Sequence, residues 1–209
     1  AHYNLGVAYG GSGKYKEAIE SYKQALRIDP DLAEAHSNLG IAYDASGKYK
    51  EAIESFKQAL RIDPDYADAH YNLGVAYDGL GKNKEAIESH KQAIRIDPDL
   101  AEAHNNLGAA YHELGKYQEA IESYKQALRI DPDLAEVHSN LGLAYGASGM
   151  DEEAIDAFKQ VIRINPDDVP AHYNLGCAYV LSNDRDSALE QYKILKSINT
   201  ELANRLFNL

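Results

Sequence analysis

The sequence predicts an all-α solenoid built from helix pairs, and three observations support this prediction. The segment from Ala33 to Tyr66 returns 34 residues later, from Ala67 to Leu100, with 25 of the 34 positions identical. The same block continues along the chain, and a fixed period of this length indicates stacked repeats that bury their apolar faces against each other. Each block also holds two segments with apolar residues at helical spacing, and in the first five blocks a glycine separates them and a proline ends the second.

The first helix of each repeat is predicted from residues that recur at steps of three and four. In the second repeat this buried face consists of Ala35, Leu39, Ala42, Tyr43 and Ser46. Such spacing places the side chains on one side of a helix. We expect Gly47 to end the helix in the left-handed conformation that glycine adopts readily. Asn183 stands at the equivalent place in the sixth repeat.

The second helix is predicted to follow directly and to turn Ala52 and Phe56 inward. Pro64 ends it, because the residue before a proline avoids the α region. The small residues Gly40 and Ala52 are expected to bring the helices to the short end of the roughly 8–10 Å range of interaxial distances. The aromatic side chains then fill the space beside them.

Six repeats and a tail divide the chain, which we interpret as a single array. The repeats are 1–32, which starts two residues late, 33–66, 67–100, 101–134, 135–168 and 169–202, and the tail is 203–209. Terminal repeats of a solenoid are often atypical, and in the sixth repeat Thr200 replaces the proline. Leu202, Leu206 and Leu209 then share one helical face. We therefore expect the tail to belong to a closing helix with Thr200 as its N-cap.

Eight markers recur in register along the chain. In the second repeat they are Leu39, Gly40, Tyr43, Gly47, Ala52, Phe56, Ala59 and Pro64. This pattern resembles the tetratricopeptide-repeat signature over about the whole chain. Histidine takes the place of the tryptophan that often opens that signature, at His2, His36, His70, His104, His138 and His172. The resemblance implies a right-handed solenoid whose first helices line a concave surface.

The composition narrows the range of partners. The net charge is −12, the sequence pI is about 5.0, and no window is rich in Lys or Arg, so nucleic acid and anionic membrane are not expected partners. No stretch reaches the roughly 18 apolar residues of a membrane-spanning helix. Cys177 is the single cysteine, which excludes an intramolecular disulfide framework and is compatible with a reducing compartment such as the cytoplasm.

No catalytic or metal-binding constellation emerges. The six repeated histidines should lie about 10 Å apart along the stack, whereas the ligand atoms of one zinc ion lie about 2.0–2.3 Å from the metal. We therefore interpret them as packing residues that fill the tryptophan position. Cys177 takes a place that is apolar in the other repeats, so it is interpreted as an apolar residue of the groove. The prediction is a protein without enzymatic activity, metal or cofactor.

The first helices carry the most informative pattern. One position holds asparagine in all six repeats: Asn4, Asn38, Asn72, Asn106, Asn140 and Asn174. Asparagine is a mediocre helix former, so it needs a reason there. In the second repeat Ser37, Asn38, Ile41 and Asp44 follow a stripe that is separate from the buried face. The asparagines either hydrogen-bond a neighbouring repeat or hold the backbone of an extended peptide, and both uses can coexist.

Aromatic and acidic residues accompany the asparagines. Tyr3, Tyr71 and Tyr173 precede three of them, and Glu34, Asp44, Asp68, Asp78, Glu102, Glu113 and Glu136 lie on or beside the stripe. The asparagine ladder resembles the tetratricopeptide array of O-linked N-acetylglucosamine transferase, which implies that groove asparagines hold peptide backbone. The carboxylate clamp of co-chaperone tetratricopeptide domains is disfavoured, because acids stand where that clamp needs cations.

The predicted function is non-catalytic binding of an extended, basic or neutral protein segment in an Asn-lined, acidic groove. One alternative is a scaffold that self-assembles through the ends of its repeats. Another is a regulatory or substrate-binding fragment of a larger enzyme, and a chain that starts at Ala1 instead of Met is what a fragment would show.

Overall fold

Within residues 1–208, which the computed structural model describes, there are thirteen helices and no strand. The helices are α1 (His2–Gly11), α2 (Tyr15–Ile28), α3 (Ala33–Asp44), α4 (Tyr49–Ile62), α5 (Ala67–Asp78), α6 (Asn83–Ile96), α7 (Ala101–Glu113), α8 (Tyr117–Ile130), α9 (Ala135–Ala147), α10 (Asp151–Ile164), α11 (Val169–Leu181), α12 (Arg185–Ile198) and α13 (Thr200–Phe207). The predicted all-α fold of helix pairs with a closing helix is confirmed.

The chain folds as two compact units, residues 1–110 and the residues from Tyr111 onward. In the first unit each helix from α1 to α5 packs on the next, and the first helices of neighbouring repeats also touch, α1 with α3 and α3 with α5. In the second unit the same holds from α8 to α13, and α11 touches α13. The first unit therefore presents a row of first helices side by side.

Backbone geometry at the helix ends agrees with the sequence. Gly47 follows the end of α3 with φ of +70°, a left-handed conformation that glycine adopts at little cost. Asn183 has φ of +61° after α11, so it replaces the glycine of the other repeats as predicted. Asp63, just before Pro64, is extended with φ of −125° and ψ of 94° and ends α4. Ser46 was wrongly assigned to the buried face: it is exposed, and its hydroxyl donates to the carbonyl of Ala42 at 2.8 Å.

Close contact between the two helices of a repeat depends on glycine. A Cβ atom placed on Gly40 would lie 2.6 Å from the ring of Phe56, which is itself fully buried. Gly6 and Gly142 meet aromatic rings in the same way, at 2.6 Å and 2.7 Å. The ring therefore packs directly on the backbone of the first helix, as the spacing of small and aromatic residues predicts.

The repeated histidines tie each helix pair to the turn before it. In five repeats the histidine Nε2 lies 2.8–3.1 Å from the carbonyl oxygen of the proline six residues earlier; these are His36, His70, His104, His138 and His172. A ring nitrogen thus satisfies a turn carbonyl. This is a structural role, and His172 is also buried, whereas the other four rings are half-buried.

The closing helix differs from the prediction at its start. Asn199, and not Thr200, is the N-cap, because its side-chain oxygen accepts from the backbone N–H of Leu202 at 3.1 Å. The helix therefore begins three residues before position 203. Leu206 is buried and would lie 2.5 Å from a Cβ atom on Gly176, so it takes the place that an aromatic ring fills in earlier repeats. Leu209 was predicted for the same face and lies outside the described residues.

Candidate functional site

In the first unit, four of the predicted asparagines stand on neighbouring first helices. We call Asn4, Asn38, Asn72 and Asn106 the Asn stripe of this unit; they lie on α1, α3, α5 and α7. Asn4 is exposed and the other three are half-buried. A half-buried amide on a helix surface is accessible to a partner from outside and also to side chains of the adjacent repeat.

Two of these asparagines bond the preceding repeat. The Asn38 side-chain amide donates to the Tyr3 hydroxyl at 3.0 Å, and the Asn106 amide donates to the Tyr71 hydroxyl at 3.3 Å. Asn72 has no such tyrosine, because Ser37 stands at the matching position, and its amide donates to the carbonyl of Asp68 on its own helix at 2.8 Å. Contact between repeats is thus part of the role of the asparagines.

These bonds leave hydrogen-bonding capacity unused. An asparagine side chain has two N–H donors and a carbonyl oxygen with two lone pairs, and the bond to tyrosine uses one donor. The tyrosine also limits the rotation of the amide, because the side chain is held at its tip. Asn38 and Asn106 are therefore oriented amides that still carry free donor and acceptor groups.

The second unit continues the pattern with Asn140 on α9 and Asn174 on α11. Within residues 1–208 the Asn174 side chain makes no hydrogen bond to another residue. The neighbouring Tyr173 ring lies under the Arg205 guanidinium, 5.4 Å from centroid to the central carbon. Sequence reasoning missed Arg205, because it lies in the closing helix, outside the repeated pattern from which the stripe was predicted.

The predicted acids fall into two groups. Glu34, Asp68, Glu102 and Glu136 lie in the first turns of α3, α5, α7 and α9 and are exposed, and Glu113 is exposed at the end of α7. Acids in a first turn are stabilised by the positive end of the helix dipole, so these residues have a structural reason for their position. They nevertheless give the rim of the stripe a negative potential.

Asp44 and Asp78 are placed differently from the rim acids. The Asp78 carboxylate lies 3.0 Å from Nε2 of His90, which is fully buried on α6. One oxygen of Asp44 is buried without a hydrogen-bond partner, and burial raises the pKa of this carboxyl. Both carboxylates are half-buried against the repeat interior, so they contribute less to the surface charge than the sequence pattern predicts.

One position that the sequence placed on the groove surface is buried in the structure. Ser37 was predicted to face the groove, but it is 1% exposed. Tyr66 replaces the leucine found at this place in the first, third and fourth repeats. Burial raises the pKa of the Tyr66 hydroxyl, with further contributions from Asp68 and Glu34. Tyr66 therefore belongs to the acidic surface of the first unit. In the sequence, the replacement of leucine by tyrosine at this repeat position was the only indication of this role.

Two cavities open beside the asparagines, one in each unit. The first-unit cavity, of about 360 Å³, lies beside Asn38 and is lined mainly by Tyr3, Val7, Tyr15, Tyr22 and Ile41. The second-unit cavity, of about 200 Å³, lies beside Asn174 and is lined mainly by Leu143, Asp151, Phe158, Cys177 and Leu181. Gly10 and Gly146 line them at the repeat position that Asp44 and Asp78 occupy elsewhere.

Cys177 lines the second-unit cavity, in agreement with its predicted place among apolar groove residues. Burial raises the pKa of its thiol, which lowers the fraction of nucleophilic thiolate at neutral pH. Residues 1–208 contain no group of three or more His, Cys, Asp or Glu side chains arranged to hold a metal ion. Over the same residues, none of the helices has both the length and the apolar character needed to cross a bilayer.

Comparison with known proteins supports the repeat fold described above. The family model of the cilia and flagella-associated protein 70 C-terminal domain, a tetratricopeptide-repeat model, matches residues 1–203. The structure of MamA is 31% identical with a TM-score of 0.74, covering 78% of this chain and 95% of that one. No curated protein matches significantly.

Two further structures share the fold at lower identity. PilF of Pseudomonas aeruginosa is 21% identical with a TM-score of 0.82, covering 99% of this chain and 95% of that one. YrrB, described as a tetratricopeptide-repeat protein with an unusual peptide-binding site, is 23% identical with a TM-score of 0.80, covering 91% of this chain and all of that one.

Proposed function

Because the chain belongs to the tetratricopeptide-repeat family, a family of protein-interaction modules, we propose that it binds an extended peptide segment along its asparagines without catalysing a reaction. The observation that carries this proposal is the oriented amide. Tyrosine hydroxyls hold Asn38 and Asn106 at the tip, while their remaining donor and acceptor groups are unused. An amide with one N–H and one C=O available matches the pattern of a peptide bond.

The spacing of the rungs sets the length of peptide in the first unit. Four rungs have three gaps, each about 10 Å if neighbouring first helices pack at ordinary distances. An extended chain advances about 3.3 Å per residue, so about nine residues would lie along these four asparagines. Contacts to backbone at every third residue give binding that tolerates many sequences.

Charge then selects among those sequences. The exposed rim acids, with Tyr66 beside two of them, favour peptides that carry Lys or Arg. Exposed charges are screened within about 8 Å at physiological ionic strength, so this preference should weaken as salt is added. YrrB, which shares the fold, has a peptide-binding site, and we propose the same use for this surface.

Asn72 provides the sharpest test, because within residues 1–208 its side-chain hydrogen bond is to its own helix. Its replacement by Ala removes a rung without breaking a bond between repeats, and Ala is the better helix former. The probe is a set of fluorescent ten-residue peptides rich in Lys, in Glu or in neither, measured by anisotropy. We expect the Lys-rich peptides to bind, and Asn72→Ala to weaken binding by about two- to ten-fold, the effect of one hydrogen bond, with an unchanged melting temperature.

Two results would contradict the proposal. One is Asn72→Ala binding the Lys-rich peptides as tightly as the original chain; the other is a preference for the Glu-rich set. Glu20→Gln serves as the control, since Glu20 is exposed on α2, away from the stripe, and pairs only with Lys23 of its own helix.

Self-assembly is a second candidate function, favoured by exposed apolar side chains at the first and last helices. Leu5 on α1 is 44% exposed, whereas Leu39 and Leu73 at the same repeat position are each 7% exposed, and Phe207 on α13 is 71% exposed. Sedimentation over a range of concentrations tests this candidate. A monomer at all concentrations would remove it.

A further inference from the structure

The second-unit cavity combines apolar walls with one carboxylate. We propose that it accepts the side chain of a lysine or arginine from a bound peptide. This inference rests on the proposed function and adds a defined pocket to it. The cavity, about 200 Å³, is smaller than the roughly 300–1,000 Å³ of typical small-molecule sites, which suits a single side chain.

The walls suit the aliphatic part of such a side chain. Leu143 and Leu181 line the cavity from α9 and α11, and the buried ring of Phe158 lines it from α10. Leu143 is 45% exposed and Leu181 is 63% exposed, so both gain from being covered. Long cationic side chains bury their methylene stems along apolar surface while the charged end stays near water or a counter-ion.

The cavity is open because of glycine. Gly146 lines it, and a Cβ atom at Gly146 would meet nothing within 4 Å. In the second and third repeats this position carries Asp44 and Asp78, and Asp78 contacts His90 on the second helix of its repeat. The missing side chain at residue 146 therefore leaves space that neighbouring residues do not fill.

Asp151 supplies the charge. It lines the cavity at the start of α10, is half-buried, and forms no ion pair or hydrogen bond with another side chain of residues 1–208. Earlier repeats hold Tyr15, Tyr49, Asn83 and Tyr117 at this position, so the acid is particular to the fifth repeat. Glu152 and Glu153 already place negative charge in the same helical turn, so the helix dipole does not require Asp151.

Asn174 connects the cavity to the peptide backbone. Its side chain lines the cavity and makes no hydrogen bond within residues 1–208. A peptide held by this amide would place a neighbouring side chain at the mouth of the cavity. The first-unit cavity has Tyr15 where this one has Asp151. A lysine or arginine side chain that entered the first-unit cavity would therefore meet no carboxylate at this position.

The test uses the full chain labelled with ¹⁵N and three probes: the acetylated tripeptide amides Gly-Lys-Gly, Gly-norleucine-Gly and Gly-Glu-Gly. Norleucine has the aliphatic stem of lysine without the charge. We expect the lysine probe to shift the backbone signals of Gly146, Asp151 and Cys177 and to bind about two- to five-fold more tightly than the norleucine probe, the effect of one partly exposed ion pair. The glutamate probe should not shift these signals.

Two variants locate the effect. Asp151→Asn should reduce the affinity for the lysine probe to that for norleucine, while Glu152→Gln, in the same turn but outside the cavity, should leave it unchanged. Gly146→Leu should fill the cavity and abolish the shifts with both probes. Gly146→Ala, which keeps most of the space, verifies that a side chain at this position does not disturb folding.

The inference is overturned if norleucine binds as tightly as lysine, if glutamate binds, or if Asp151→Asn has no effect. It is also overturned if Gly146→Leu changes only sedimentation, since the occupant would then be a second copy of the chain. These results leave the proposed function intact as long as Asn72→Ala still weakens the binding of the Lys-rich peptides. If Asn72→Ala does not weaken that binding but the lysine probe binds as expected, binding is instead limited to the cavity.

Discussion

The hydrogen bond from the Asn38 amide to the Tyr3 hydroxyl, 3.0 Å long, joins two repeats through residues 35 positions apart. The Tyr71–Asn106 bond has the same separation. A tyrosine on one first helix thus determines whether the asparagine of the next repeat is held at its tip.

This relationship is testable by a double-mutant cycle. Tyr3→Phe and Asn38→Ala should each destabilise the chain in urea, with a coupling energy of about 0.5–1.5 kcal/mol, the net value of one hydrogen bond. The pair Tyr3→Phe and Asn72→Ala is the control, because Asn72 bonds its own helix and the two changes should be additive. Additivity in the first pair would mean that the bond is absent in solution.

Replacement of two helical glycines by alanine should have opposite effects on stability. Gly40→Ala places a Cβ atom 2.6 Å from the Phe56 ring and should destabilise by about 1–3 kcal/mol through overpacking. Gly146→Ala meets nothing within 4 Å and should stabilise by up to about 1 kcal/mol, since Ala is the better helix former. Urea denaturation measures both, and equal effects would disprove the close approach at Gly40.

His90 is a weak point in the core of the first unit. Its Nδ1 atom is buried without a hydrogen-bond partner, and a buried unsatisfied group costs about 1–3 kcal/mol. His90→Phe should therefore raise the melting temperature, although it removes the contact with Asp78. The second repeat already contains this combination, Phe56 with Asp44. Phe56→His is the reciprocal control and should lower the melting temperature; a less stable His90→Phe variant would show that the Asp78 contact outweighs the unsatisfied nitrogen.

The residue with left-handed backbone geometry after α11 allows a further prediction. Asn183, with φ of +61°, should tolerate replacement by Gly almost without loss, whereas Asn183→Ala should cost about 1–2 kcal/mol. Thermal denaturation of both variants checks this. Equal stability of the Ala and Gly variants would mean that the turn rearranges.

Asp44 should make stability depend on pH. Burial raises the pKa of its carboxyl, so the folded chain retains the proton where the unfolded chain has released it. The stability contributed by the protonated group is present below the ordinary Asp pKa of about 3.9 and lost as pH rises through the folded-state pKa. Asp44→Asn should remove this loss and be the more stable form at pH 7. A difference curve against pH that stays flat would contradict the assignment.

Local chemistry made most of the fold predictable. Gly47 and Asn183 mark helix ends because few residues adopt positive φ, and the residue before Pro64 is extended for steric reasons alone. The cap of α13 was not predictable in the same way, because Asn199 and Thr200 are both good N-caps and only the packed position of Leu206 separates them.

The site was less predictable, because it depends on neighbours in space. The period places Asp44 and Ser37 on the stripe, but Asp44 is half-buried and Ser37 is buried. The cavities arise where Gly10 and Gly146 lack a side chain, and a sequence does not show whether surrounding residues fill such a gap.

The tyrosine–asparagine bond depends on repeat position and not on a unique pair, and this has a consequence for changes in chain length. Removal of residues 33–66 would join Leu32 to Ala67 in the same context that Leu32 and Ala33 have now. It would also bring Tyr3 opposite Asn72. Asn72 would then have the tyrosine partner that it lacks now, because Ser37 stands at that position. Unequal recombination between such near-identical segments can therefore shorten the array and leave every new junction with a native-like neighbour.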